Sequence, residues 1–237
     1  MSGLSLYATI EKRLETLTEL SRRNQAALPV VGEPIRPTVT ISREFGCEGF
    51  AVAEKVQSLI HARTGTVWGL MDKAIVEKFS EDREHTLEVL KNLGEKNPFL
   101  DDMMSTLLTA WKSDKDYYQL LCNQIVPFAR GGHVIIVGLG AGILTQGLPN
   151  CYHFRIVAPM EFRIRSVAQR HDLSVAEAEK LIQKNQKQRI AFINEFLNRD
   201  IADPLYYSIV FNRAYNTIDE IAEMICYRVL ADQKKEE

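Results

Sequence analysis

The sequence has few cysteines, no long apolar run and almost no net charge, and each of these absences narrows what the chain can be. Its four cysteines, Cys47, Cys122, Cys151 and Cys226, stand far apart with no C-x-x-C pair. That spacing argues against a zinc site or a disulfide framework and fits a reducing cytoplasm, and no metal site is expected. Apolar runs such as His133 to Leu139, with its single histidine, fall far short of the roughly 20 residues that cross a bilayer, so no membrane partner is expected. The amino terminus MSGLSLYATIEKRLETL has charges where a signal peptide needs its apolar stretch, and export is not expected. With 29 basic residues against 31 acidic ones the net charge is -2, which lacks the broad footprint of a nucleic-acid binder. Any anion binding has to be local.

What is present is an ordinary globular composition, 46% hydrophobic and 25% charged over 237 residues, enough for one core with insertions. Residues 4 to 28 space Leu6, Ile10, Leu14, Leu17 and Leu20 three and four apart among charges, as on an amphipathic helix. Pro29, Gly32, Pro34 and Pro37 then deny regular hydrogen bonding and read as a linker, so the domain proper is placed at 38–237 after an appended segment 1–37. Such a helix either packs back on its own domain or offers a face for a homodimer.

Five short apolar or alternating segments follow: Val39 to Ile41, Thr66 to Leu70, Val134 to Val137, Phe154 to Val157 and Ser208 to Phe211. Helical patterning separates them, which predicts βαβ units and a five-stranded parallel sheet covered on both faces, a three-layer α/β sandwich. A helical insertion is expected over about 73–131, with Asp72, Ser80 and Asp114 as caps, and a basic helical segment over about 161–198. The second breaks near Asp172-Leu173-Ser174, where Ser174 and Glu177 have capping-box spacing. A last helix over Thr217 to Leu230 buries Ile218, Ile221, Ile225 and Val229.

After the first strand comes Ser42-Arg43-Glu44-Phe45-Gly46-Cys47-Glu48-Gly49-Phe50-Ala51, then a helical pattern. A glycine-containing loop between a strand and a helix amino terminus can hold phosphate, because amide N–H groups and the helix dipole both favour an anion. Against G-x-x-x-x-G-K-[ST], Arg43 takes the first glycine position, Glu48 the second, Gly49 the lysine position and Phe50 the hydroxyl position. Glycines at a βα turn are also needed for backbone geometry alone.

The phrase ISREFGCEGFAVAEKV resembles the opening of the cytidylate kinase-like family, whose members read ISREFGSGG followed by a basic residue. The likeness continues through FRIVAPMEFRIRSVAQR at 154–170, LSVAEAEKLIQKNQKQR at 173–189 and ADPLYYSIVFNR at 202–213. The resemblance implies a P-loop kinase fold, transfer of the γ-phosphoryl of ATP with Mg2+ to a nucleotide such as CMP, and a basic lid over 161–198. Its implied catalytic residues are Arg163, Arg165 and Arg189; Arg170 and Lys187 would help bind phosphate. Arg43, Gly46, Cys47, Gly49, Phe50 and Ala51 fall in its phosphate loop, Asp72 and Lys73 at the start of its monophosphate region. Asp72 would meet nucleotide hydroxyls there, or cap the helix that follows. Gly138 and Gly140 fall in its VGRGA turn, where this chain has Leu139 for the arginine that meets the acceptor phosphate. The lid residues read equally as a solvated helix face paired with Glu161, Glu177 and Glu179. Two functions stay open: a nucleoside monophosphate kinase, or a nucleotide-binding or regulatory protein that keeps the fold without turnover.

Overall fold

In the first strand, β1 (Thr38–Arg43), Val39 and Ile41 alternate with Thr38, Thr40 and Ser42, so the strand has one apolar and one polar face. Both faces are buried, as a central strand of a parallel sheet requires. The computed structural model, which describes residues 9–26, 36–76, 122 and 125–233, places β1 at the centre of five parallel strands. The others are β2 (Gly69–Met71), β3 (Val134–Val137), β4 (Cys151–Val157) and β5 (Ile209–Asn212), in the order β2-β3-β1-β4-β5. β1 registers Thr40 with Ile136 of β3 and with His153 of β4.

The helices are α1 (Ile10–Ala26), α2 (Gly49–Thr64), the single turn α3 (Ala141–Leu144), α4 (Met160–His171), α5 (Val175–Leu197) and α6 (Ile218–Gln233), with further helical residues at 73–76 and 125–131. Val52, Val56 and Ile60 of α2 and Ile221, Ile225 and Val229 of α6 pack on Val39, Ile41, Phe154 and Ile156. On the opposite face Leu17 of α1 joins Met71, Phe128, Val134 and Ile136. The expected five-stranded α/β sandwich is therefore the fold. The capping box at the head of α5 is present: Glu177 N–H donates to Ser174 Oγ at 3.3 Å and Ser174 N–H to Glu177 Oε2 at 2.9 Å. A second one, Thr217 with Glu220, starts α6.

The second strand begins at Gly69 rather than Thr66, because pairing to β3 begins only where Gly69 meets Val134. Ser80, Lys112, Asp114 and Lys115 of the expected insertion lie outside the described residues, as does most of the expected linker. None of the described helices is long and apolar enough to cross a membrane.

α1 packs back on its own domain. A side chain at Gly69 would come within 2.6 Å of Leu17 Cδ2 and 2.9 Å of Leu20 Cδ1, so the bare backbone of β2 is what lets the helix approach. Leu17→Ala is expected to lower stability by about 2–4 kcal/mol in urea unfolding, the cost of a cavity in a shared core. A loss under about 0.5 kcal/mol would mean that α1 is only appended.

Two histidines are held neutral by the fold. His153, whose Nδ1 lies 2.8 Å from Thr40 Oγ1, is pushed down to about 4 by burial. His133 is pushed down to about 4 by burial and then by the charge of Arg36. The unfolded chain therefore takes up these protons first, near its ordinary value of about 6.5. Stability is fully present above that pH and declines as pH falls from about 6.5 toward 4, by up to about 1.4 kcal/mol per pH unit for each histidine. Urea midpoints measured from pH 8 to pH 4 should show this decline, and His153→Gln should roughly halve it, leaving the part due to His133.

Candidate anion-binding site at the carboxyl edge of the sheet

The loop from β1 to α2 is held by its neighbours on every side. Gly46 has φ +97°, and a Cβ there would fall 2.9 Å from Cβ of Arg163 and 3.2 Å from its Cα, so α4 sits directly on the loop. Phe45 N–H donates to Gln186 Oε1 at 3.2 Å, which brings α5 across it as well. The Glu44 carboxylate accepts from Ala158 N–H at 3.1 Å and faces Arg163 Nε at 3.6 Å. Glu48 caps α2 in the left-handed region at φ 54°, a conformation that costs a non-glycine residue about 1 kcal/mol. Its carboxylate is 2.9 Å from Arg213 Nη2, so the negative charge in the loop is met from the end of β5. Cys47 is fully buried, and burial pushes its thiol up to about 12, which makes it a small hydrophobe rather than a nucleophile.

Arg43 decides the shape of the site. Its aliphatic stem lies against Gly49, where a Cβ would be 2.9 Å from Arg43 Cγ, and its guanidinium lies over Gly138, where a Cβ would be 1.8 Å from Nη1. The side chain thus leaves β1, crosses the end of β3 and fills the space above the loop. The turn it crosses, Gly138-Leu139-Gly140, is left-handed at three successive residues, with φ of 77°, 60° and 70°. Leu139 packs its side chain toward the α1-side core.

Arg189 of α5 donates to Arg43 O at 2.6 Å. Arg155 of β4 donates to Ser42 Oγ at 3.2 Å and lies over the ring of Tyr207. Tyr207 in turn donates to Ile201 O at 2.8 Å. Ser42, Arg43, Arg189 and Tyr207, with residues 138–143, bound a small cleft of about 60 Å³. No carboxylate lines it among the described residues. Burial, and then the neighbouring charge of Arg189, brings Arg43 down to about 9, with Asp72 acting the other way. Arg189 is lowered by burial and then by Arg155. Clustered, desolvated cations of this kind favour an anion beside them.

The structure gathers Arg43, Gly138, Gly140 and Arg189 of the expected residues into this cleft. Arg163 and Lys187 instead line a separate, more open groove of about 520 Å³ with Gln183, Gln186 and Asn194. Nε and Nη1 of Arg163 are buried there without hydrogen-bond partners. Arg165 and Arg170 are exposed on α4 and are not drawn in: a two-residue step turns Arg165 by about 200° from Arg163, and Arg170 lies two turns further on, at the end of the helix. Asp72 caps the following turn, accepting from Ile75 N–H at 3.2 Å, and holds Arg13 at 2.8 Å; Lys73 is exposed. Phe50 lies under the Arg13 guanidinium at 4.8 Å, and Ala51 continues α2. Sequence reasoning passed over Arg155, Arg13, Tyr207 and Arg213. The first was visible as a charge at an inward position of an apolar strand, the second as a charge on the apolar stripe of α1.

The family model described as "Cytidylate kinase-like family" matches residues 38–215. The chain belongs to the cytidylate kinase-like family. A crystal structure of an uncharacterized protein from Eubacterium ventriosum ATCC 27560 superposes with a TM-score of 0.59 at 18% identity, covering 83% of this chain and 99% of that one, a likeness of fold. None of the curated proteins matches.

ATP and Mg2+, the cofactors this family implies, do not fit the loop as it is built. At the lysine position Gly49 is packed against Arg43, and at the hydroxyl position stands Phe50, which offers no metal ligand. Phe45 N–H is taken by Gln186. The described residues hold no group of three His, Cys, Asp or Glu side chains placed for a metal ion. Gly138→Ala should displace Arg43 and force an alanine to φ +77°, lowering stability by at least about 2 kcal/mol in urea unfolding. Wild-type stability in that variant would show that Arg43 moves freely.

Proposed function

We propose that the protein binds a phosphorylated nucleotide, with a nucleoside monophosphate such as CMP the first candidate, and that its phosphate enters the small cleft at the ends of β1 and β3. The observation that carries this reading is the convergence of Arg43 and Arg189 on a cleft with no carboxylate among its described lining residues. Two guanidiniums can take a phosphate through charge-assisted hydrogen bonds, and burial strengthens that attraction. Phe192, Ile193, Ile143 and the Tyr207 ring line the same small cleft, so that the phosphate is desolvated there while the nucleoside extends out of it. Arg43, crossing Gly138, brings to this turn the positive charge that Leu139 lacks.

In this reading the kinase fold serves binding, and the loop after β1 is a structural turn rather than a triphosphate cradle. A second reading, phosphotransfer of the nucleoside monophosphate kinase type, draws support from one observation. Arg163, whose Nε faces Glu44 at 3.6 Å, keeps two buried donors without a hydrogen bond beside the loop, where a phosphoryl group would supply one. Calorimetric titration with CMP and the other nucleoside monophosphates, beside an assay for diphosphate formation with ATP and Mg2+, separates the two. The expected outcome is binding of at least one monophosphate, weakened at least tenfold by Arg189→Gln, without turnover. Diphosphate formation abolished by Arg163→Ala would establish the second reading, and absence of any monophosphate binding would sink the first.

A further inference from the structure

α1 lies outside the residues matched by the family, yet it buries one charged side chain against the end of the edge strand β2. Arg13 is 6% exposed; its Nε and Nη2 both donate to Leu70 O at 3.3 Å, and Nη2 reaches Asp72 Oδ1 at 2.8 Å. Its guanidinium covers Phe50, the second residue of α2. Glu54, one turn further along α2, feels both Arg13 and Asp72 and is raised to about 7, with burial the larger cause.

Asp72 has a second cation within reach. The sheet order is β2-β3-β1, and Asp72 directly follows β2. Arg43 leaves β1 and carries its guanidinium over Gly138 at the end of β3, so it points toward the end of β2. From there the next strand is only about 5 Å away. The charge of Asp72 is already felt at Arg43. What occupies the carboxylate is Arg13, together with the Ile75 amide that it caps.

We propose that α1 sets the charge of the cleft: Arg13 holds the Asp72 carboxylate off Arg43, so anion affinity depends on α1 being docked. Without Arg13, Asp72 is a partly buried carboxylate without its ion-pair partner, and the nearest relief is to pair with Arg43. The cleft would then lose a phosphate-binding cation to an internal anion. Arg13 is in this sense a positioning residue, acting through Asp72, and displacement of α1 would weaken ligand binding without any change in the residues that line the cleft.

This inference rests on the cleft being a nucleotide site, and its test separates the two. Full-length wild type, Arg13→Met, Arg13→Lys and the double variant Arg13→Met/Asp72→Asn are titrated with CMP by calorimetry, with circular dichroism confirming the fold. Asparagine keeps the oxygen that caps Ile75 and removes the charge. Arg13→Met is expected to weaken CMP roughly tenfold, Arg13→Lys to stay within about threefold of wild type, and the double variant to recover to within about threefold. An unchanged constant in Arg13→Met, or a double variant as weak as the single one, overturns the proposal, because a purely structural role of Arg13 would not be rescued by removing a charge.

The same variants are treated with phenylglyoxal and Arg43 modification is followed by peptide mass spectrometry, which needs no ligand. Pairing with Asp72 should slow modification severalfold in Arg13→Met and the double variant should restore it. If wild type binds no monophosphate, the binding reading falls while this measurement still decides the inference: equal rates in all variants overturn it.

Discussion

Arg43 leaves the last turn of a central strand with both faces of the sheet already covered, and its long side chain has to run across the neighbouring strand end to be accommodated. That path dictates residue types well away in sequence. Gly49 must lack a side chain because the arginine stem lies against it, and Gly138 because the guanidinium lies on it. The turn after β3 is forced into three left-handed residues, one of them a leucine that bears the strain by packing its side chain toward the α1-side core. A lysine at position 49, which a triphosphate loop needs, would have to share the space that Arg43 fills. The altered loop and the cleft are thus two results of one side-chain path.

Charge is partitioned around this arginine in a consistent way. Among the described residues, three nearby carboxylates are tied to cations outside the cleft: Glu48 to Arg213, Glu44 to Arg163 and Asp72 to Arg13. The guanidiniums left together are Arg43, Arg155 and Arg189: on top of burial, the charge of Arg189 lowers the proton affinity of Arg43 and that of Arg155 lowers the proton affinity of Arg189. Such an arrangement costs folding free energy unless an anion enters, and storing that cost at one edge of the sheet is characteristic of a binding site. Because Glu48 is neutralised from β5, the loop is not repulsive, but it is also no longer a cradle of open amides.

The fold was legible because it rests on local and periodic signals: Val39 and Ile41 alternate with polar residues, Ser174 and Glu177 have capping spacing, and the apolar residues of the last helix recur at three and four. The site was legible only in part. Arg43, Gly138, Gly140 and Arg189 could be named from their place at strand ends and in the basic segment, but the contact between Arg43 and Gly138 joins residues 95 apart and leaves no local trace. Arg163 and Arg165 are indistinguishable by composition, and only the angular step along α4 sends one inward and the other to solvent. Arg13 looked like one more charge on an amphipathic helix because helical spacing cannot tell which neighbour will bury a given position.

The family match over 38–215 describes a domain whose sheet begins at β1, but the folded unit of this chain is larger. Leu17 fills the core on the α1 side and Arg13 holds the carboxylate that follows β2, so α1 contributes to packing and to electrostatics at once. These two roles reinforce each other: Leu17 and Leu20 fix the helix against the bare backbone at Gly69, and that fixed position is what lets Arg13 span Leu70 O and Asp72 with one guanidinium. An arginine on a loosely tethered helix would lose side-chain entropy for each bond it made, whereas here the packing has already restricted it. The apolar contact thereby makes the buried ion pair affordable, and the ion pair in turn makes the cleft cationic.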